Sequence, residues 1–256
     1  MIKKLSILLS VLFTLLGSMT LNAQAKDWPA PIKALEAKGI EVIGTFDAPG
    51  GLAGYAGMIE QQPLAIYLTA DGKQAIVGSM IDAQGNNLSQ KPLERLVSKP
   101  ITAKTWKLLD ESTWIADGSN NAPRVIYTFT DPNCPYCNKF WNDARPWVKT
   151  GKVQLRHVMV AILTPTSQGK AAALLSATDP QAALAQHEQQ HAKGGVKALN
   201  QVSEKIRTQL DANQKLMQQL GSSATPTIFY KDASGNLQKM QGAPPAEMLS
   251  KIMGPR

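Results

Sequence analysis

The chain is almost without cysteine: its 256 residues include two, Cys134 and Cys137, only three positions apart. Structural disulfides in exported proteins tie distant segments together, and a ring this small restrains the unfolded chain little. The spacing therefore excludes a brace and predicts a reactive pair. Histidine is scarce too, with three in the chain. His187 and His191 lie four apart, but forty-nine residues separate Cys137 from His187, where finger-type zinc sites use roughly 12 to 15. The spacing argues against zinc and predicts that both histidines sit on the surface of a Gln-rich helix. His157 is expected to be a partly buried strand residue with no carboxylate near it in sequence. Glycine-rich phosphate loops, nucleophile elbows and nucleotide fingerprints are missing, so neither metal nor cofactor is expected. The basic residues give a net charge of +8 but never bunch, which predicts a solvated surface and no nucleic-acid partner.

Long apolar runs are missing as well, apart from Leu5 to Leu16, which follows Lys3 and Lys4 and precedes Ala23-Gln24-Ala25. Ser6, Ser10 and Thr14 dilute that run below the roughly 20 apolar residues of a membrane span. A basic start, a short apolar stretch and a small-x-small site describe a signal peptide over residues 1–25, cleaved after Ala25. Export is expected. No cysteine stands at the cleavage site for lipidation. Loss of Lys3 and Lys4 lowers the net charge from +8 to +6.

What remains reads as two units. Residues 26–88 carry a helix opened by Pro29 and Pro31 and ended by Gly39, then four extended runs from Ile40 to Met80 with turns at Pro49-Gly50-Gly51 and Ala70-Asp71-Gly72-Lys73. So small a sheet buries little by itself, which points to a partner surface such as a second copy. Residues 89–117 read as a linker: a charged, proline-bounded connector from Pro92 to Pro100, then a helix over 102–114. From 118 to 256 the order is strand (125–130), helix (138–148, kinked at Pro146), strand (153–163), a helical insertion at about 166–221, strand (227–230), strand (237–241) and helix (245–253). Phe140, Trp141 and Trp147 fall at helical spacing and are expected in the core. That order around a Cys-x-x-Cys motif is an α+β or α/β, thioredoxin-like layout with a helical insertion.

Disulfide exchange needs a thiolate, and an ordinary cysteine is only a few per cent ionised at neutral pH. A strand-to-helix junction at Cys134 aims free amide groups and the helix dipole at its sulfur. The reading is that Cys134 attacks and Cys137, one turn on, resolves the mixed disulfide. Pro135 withholds one N–H from the sulfur, and Tyr136 adds an aromatic surface beside it. Thr225-Pro226, between a helix cap and a strand, is expected to be a cis pair that faces the dithiol and contacts substrate.

The stretch from Phe129 through Thr130-Asp131-Pro132-Asn133-Cys134-Pro135-Tyr136-Cys137 to Asn138-Lys139-Phe140-Trp141 resembles the active site of the DsbC/DsbG family of periplasmic thiol:disulfide interchange proteins. Ala144 to Val148, Gly151 to Arg156 and Thr45 to Gly51 resemble its other segments, and the Pro-Tyr dipeptide and the lack of an extra disulfide favour the DsbG branch. The resemblance implies a cystatin-like N-terminal domain that joins two copies into a V-shaped homodimer, with the catalytic domains facing a shared cleft. It implies a dithiol held reduced by a membrane protein of the DsbD type. It also implies reduction or isomerisation of wrongly paired disulfides, and reduction of cysteine sulfenic acids, on exported proteins. Two rivals stay open at this level: a net oxidase of the DsbA kind, and a holdase chaperone in which the redox role is secondary.

Overall fold

Strands with continuous buried runs, covered on both faces, build two separate sheets. A computed structural model describes residues 27–60 and 62–255, so the expected signal peptide and its cleavage point lie outside the described residues. Helix α1 (Ala30–Glu36) starts where Pro29 and Pro31 can sit without a missing donor. It packs Ile32 against Ile40, Tyr55, Ile66 and Leu68 of an antiparallel sheet. The sheet runs in the order β1 (Glu41–Asp47), β2 (Ala53–Ile59), β3 (Gln62–Leu68) and β4 (Ala75–Val77). Its other face buries Phe46, Ala56, Ala65 and Tyr67 against Val97. Gly54 is needed there, because a Cβ would collide with the Phe46 ring. β4 is a free edge, and Ile76 and Val77 on it are exposed.

The proline-bounded connector is helical throughout. α2 (Gln90–Leu93) passes through a wide π turn at Glu94–Ser98 into α3 (Lys99–Asp110). Lys99 N–H reaches back five residues to the Glu94 carbonyl, which widens the helix just before Pro100, a residue with no N–H to donate. The helix expected over 102–114 thus ends at Asp110. Trp114 instead opens strand β5 (Trp114–Asp117), within residues that the sequence pattern assigns to the linker.

The second sheet has the order β5, β7 (Val153–Met159), β6 (Arg124–Thr130), β8 (Thr227–Lys231), β9 (Leu237–Gln241). Only β6 and β7 pair in parallel, and α4 (Pro135–Lys149) crosses between them. α4 contains Pro146 yet continues past it to Lys149. α4 and α8 (Ala246–Met253) cover one face through Phe140, Trp147, Leu249 and Ile252. α3 and α7 (Glu204–Gln219) cover the other through Leu109, Leu216 and Met217 against Tyr127, Phe129 and Phe229. The insertion, α5 (Ser167–Leu175), α6 (Pro180–Gln189) and α7, has its own apolar centre in Ala171, Leu174, Leu184, Ile206 and Leu210, which meets the sheet at Ile115 and Met159.

A buried ion pair ties β5 to α4. Arg145 grips both carboxylate oxygens of Asp117 and stacks 4.0 Å over the Trp141 ring. Burial by itself would raise the Asp117 carboxyl, but His157 beside it and the hydrogen bonds and charge of Arg145 outweigh it and hold it at about 2. His157, with no carboxylate near it in sequence, faces this one at 3.7 Å across the β5–β7 pair. Because the folded carboxyl sits below its unfolded value, its stabilisation is present above pH ~4 and is lost as pH falls through about 2. Asp117→Asn should cost about 3 kcal/mol at pH 7 by leaving Arg145 buried and unpaired. Urea unfolding checks this: the gap from the parent should shrink as pH drops towards 2, and a variant as stable as the parent at pH 7 would contradict the role of the pair.

Candidate active site

The chain leaves β6 at Thr130 and turns through Asp131, Pro132 and Asn133 into α4. The buried Asp131 carboxylate fixes this turn by accepting four hydrogen bonds, from the N–H groups of Asn133 (2.8 Å), Ile162 (2.8 Å) and Leu163 (3.0 Å) and from the Ser167 hydroxyl (2.9 Å). Asn133 Nδ2 donates to the hydroxyls of Thr164 (2.8 Å), Thr166 (3.1 Å) and Ser167 (3.0 Å), and its Oδ1 accepts from Lys170 Nζ at 2.8 Å. With both sides of the turn anchored, Cys134 takes an extended backbone and becomes the N-cap of α4.

Its sulfur does what a serine or aspartate oxygen does at most helix starts: Cys137 N–H donates to Cys134 Sγ at 3.3 Å. Pro135 occupies the first helical position, where it supplies no donor. The Thr225–Pro226 peptide is cis, and as a thiol Cys134 donates to the Thr225 carbonyl at 3.3 Å. The Thr225 hydroxyl is buried as well. The fold therefore gathers all six residues singled out by sequence, Cys134, Pro135, Tyr136, Cys137, Thr225 and Pro226, at one point. Tyr136 is the exposed member, with 62% of its surface open, whereas each cysteine shows only 2%.

Accessible area does not separate the two sulfurs, but their electrostatics do. The hydrogen bond from the Cys137 thiol does most to lower Cys134, from 9.0 to about 6; burial opposes it, and the Thr225 side chain and the Cys137 and Tyr136 amides assist. Cys137 moves the other way. Burial and then its ionisable neighbour Cys134 push its thiol well above the ordinary range. Near neutral pH the site thus holds one thiolate and one thiol, an attacking sulfur beside a proton-bearing one.

With that geometry established, relatives identify the group. Residues 114–254 match the model of a thioredoxin-like domain. The thiol:disulfide interchange protein DsbG of Pseudomonas aeruginosa is 50% identical over 245 residues, which cover 94% of this chain and 96% of the relative. DsbG of Escherichia coli is 43% identical over 243 residues, covering 94% of this chain and 97% of its own. The chain belongs to the DsbG family. Among solved structures, the catalytic domain of Proteus mirabilis ScsC superposes with a TM-score of 0.51 at 22% identity, over 61% of this chain and 96% of that one, a likeness of fold.

Around this DsbG-type centre the structure adds residues that the motif does not disclose. Asp131 and Asn133 lie within the quoted stretch, but nothing in its spacing gives their roles. Lys170, His187 and Glu188 come from the insertion. His187, expected on the surface, is 1% exposed. Its Gly194-Gly195 neighbours are the one local sign of a tight turn folding over a side chain. His191 does remain partly open.

The pH dependence follows from the direction in which each thiol moves. In the reduced protein, alkylation of Cys134 by iodoacetamide should rise through a midpoint near 6, and Cys137 should stay unmodified until the chain is unfolded. Mass mapping of the alkylated cysteine against pH measures this; equal labelling of both sulfurs with a shared midpoint near 9 would refute it.

Proposed function

We propose that this chain is a periplasmic thiol:disulfide oxidoreductase that reduces or isomerises non-native disulfides, and reduces cysteine sulfenic acids, on exported proteins. The observation that carries this reading is the divided dithiol, Cys134 lowered to about 6 beside Cys137 raised. The names of its DsbG relatives support it.

In this reading the Cys134 thiolate attacks one sulfur of a substrate disulfide. A Cys134–substrate bond forms, the substrate S–S bond breaks, and the departing thiolate takes a proton. Cys137 then loses its proton and attacks Cys134 Sγ, forming the Cys134–Cys137 disulfide and releasing the reduced substrate. The protein has given up two electrons and must be reduced again, the task of a membrane reductant of the DsbD type. If a different thiolate of the same substrate attacks the mixed disulfide first, a new substrate S–S bond forms, the Cys134–substrate bond breaks, Cys134 leaves as the thiolate and the net result is isomerisation. With a sulfenic acid, Cys134 attacks the S–OH sulfur, an S–S bond forms as the S–O bond breaks, the hydroxide takes a proton and leaves as water, and Cys137 then resolves the mixed disulfide in the same way.

Thr225 and Pro226 lie where an incoming peptide would pass the sulfur, and Tyr136 offers an exposed ring beside it. A homodimer through the N-terminal sheet is supported by the outer edge of β4, which has no neighbouring strand among the described residues and where Ile76 and Val77 stand exposed. The leading segment supports export. Among the described residues no helix is long and apolar enough to cross a membrane.

Cys134→Ser should abolish reduction of both a scrambled disulfide substrate and a protein sulfenic acid. Cys137→Ala should accumulate covalent substrate adducts on Cys134, visible on non-reducing gels of periplasmic extract and identifiable by mass spectrometry. Full turnover by Cys134→Ser, or adducts on some other residue, would sink the proposal. A pool of the parent that is mainly oxidised in the cell would point to net oxidase action.

A further inference from the structure

Two consecutive residues at the end of α6 hold the chain on both sides of the dithiol. His187 Nδ1 accepts the Val196 N–H at 2.9 Å. That nitrogen therefore carries no proton, and the proton sits on Nε2, which donates to the Pro132 carbonyl at 2.8 Å. The ring is committed to two main-chain groups, one in the insertion and one two residues before Cys134. Next to it, Glu188 binds the other flank: Asn138 Nδ2 lies 2.7 Å from the Glu188 carbonyl and 2.7 Å from Glu188 Oε2. Asn138 is the residue immediately after Cys137.

The surroundings are shaped to keep this grip. Gly195, at φ +63, passes so close to the imidazole that any Cβ would strike it. Lys170 Nζ joins the Gly194 carbonyl, at 2.7 Å, to Asn133 Oδ1 in the active-site turn. Both clamp residues are nearly covered, His187 at 1% exposure and Glu188 at 3%. A buried polar side chain that serves packing alone could be replaced by an apolar one; here His187 Nε2 and the two Glu188 oxygens reach from the insertion to the chain that bears the sulfurs.

We propose that His187 and Glu188 are positioning residues for the Cys134 sulfur. They fix Pro132 ahead of the dithiol and Asn138 behind it, and thereby hold the first turn of α4 with its amide groups aimed at Sγ. The inserted helices are on this view a support for the reactive turn as well as a surface feature. The inference rests on Cys134 being the attacking thiolate.

The test compares the pH profile of Cys134 alkylation in the parent and four variants, with thermal unfolding measured alongside. His187→Leu removes both ring contacts, and Asn138→Ala opens the rear arm. Each should raise the Cys134 midpoint and slow alkylation at pH 5.5 by about threefold or more, since a thiolate population on the acid side of its midpoint shrinks about tenfold when that midpoint rises by one on the pH scale. His187→Gln, which keeps one donor and one acceptor on its amide, should recover most of the parent rate. Leu184→Ala, which loosens the apolar centre beneath the same helix, should lower the melting temperature and leave the midpoint in place.

Folded His187→Leu and Asn138→Ala proteins with the parent midpoint would overturn the clamp, and so would a change of midpoint in Leu184→Ala as large as theirs. Should His187→Leu fail to fold, Asn138→Ala decides alone. A parent whose own midpoint is that of ordinary cysteine would instead remove the thiolate reading on which the inference stands.

Discussion

A sulfur caps a helix. Cys134 Sγ accepts the Cys137 amide at 3.3 Å in the place where helices usually set a side-chain oxygen, and that single substitution of atom turns a structural device into a chemical one. Sulfur is a poor acceptor as a thiol and a good one as a thiolate. The helix start therefore favours the ionised form, by the same mechanism that stabilises anions at helix N-termini generally. The Cys137 thiol contributes most by hydrogen bonding to its neighbour, the amides of the turn assist, and its own proton becomes harder to remove in return. One arrangement thus assigns opposite states to two chemically identical groups.

Much of the catalytic unit serves to keep that first turn in place. The parallel pair of β6 and β7 ends beside it, the Asp131 carboxylate gathers three amides and a hydroxyl around the turn, and the Thr225 carbonyl closes over the sulfur from the start of β8. Farther back, the Asp117–Arg145 pair pins the edge strand β5 to the middle of α4, so the helix is held near both its ends: by Trp147 donating to the Gly254 carbonyl at 2.9 Å near its C-terminus and by the reactive turn at its mouth. Buried charge of this kind adds little net stability. Its geometric effect is to leave the active-site helix few ways to rock.

The dithiol, the alternation of strands and helices and the Thr225–Pro226 pair were legible in the sequence because each is a local signal. The thioredoxin-like class followed from their order. What stayed hidden depends on contacts between distant segments. Trp114 continues the helical spacing of Trp106 and Leu109, and a strand of four residues has too short a period to announce itself; it pairs with β7, some forty positions on. With β5 unseen, the carboxylate facing His157 was unseen too. His187 looked like one polar residue in a Gln-rich helix because its partners, Pro132 carbonyl and Val196 amide, are main-chain groups that any residue would supply. The prolines at 92 and 100 looked like breaks, yet one falls in a first turn and the other directly behind a π turn that absorbs the missing donor.

The most direct measurement is a thiolate titration of the reduced protein by ultraviolet absorbance, from pH 4 to pH 10. A sulfur capping the helix predicts that one thiolate per chain appears with a midpoint near 6, and that the second remains protonated to the alkaline end. Two sulfurs ionising together at the value of free cysteine would contradict it, since neither the amide groups nor the neighbouring thiol would then be acting on Cys134.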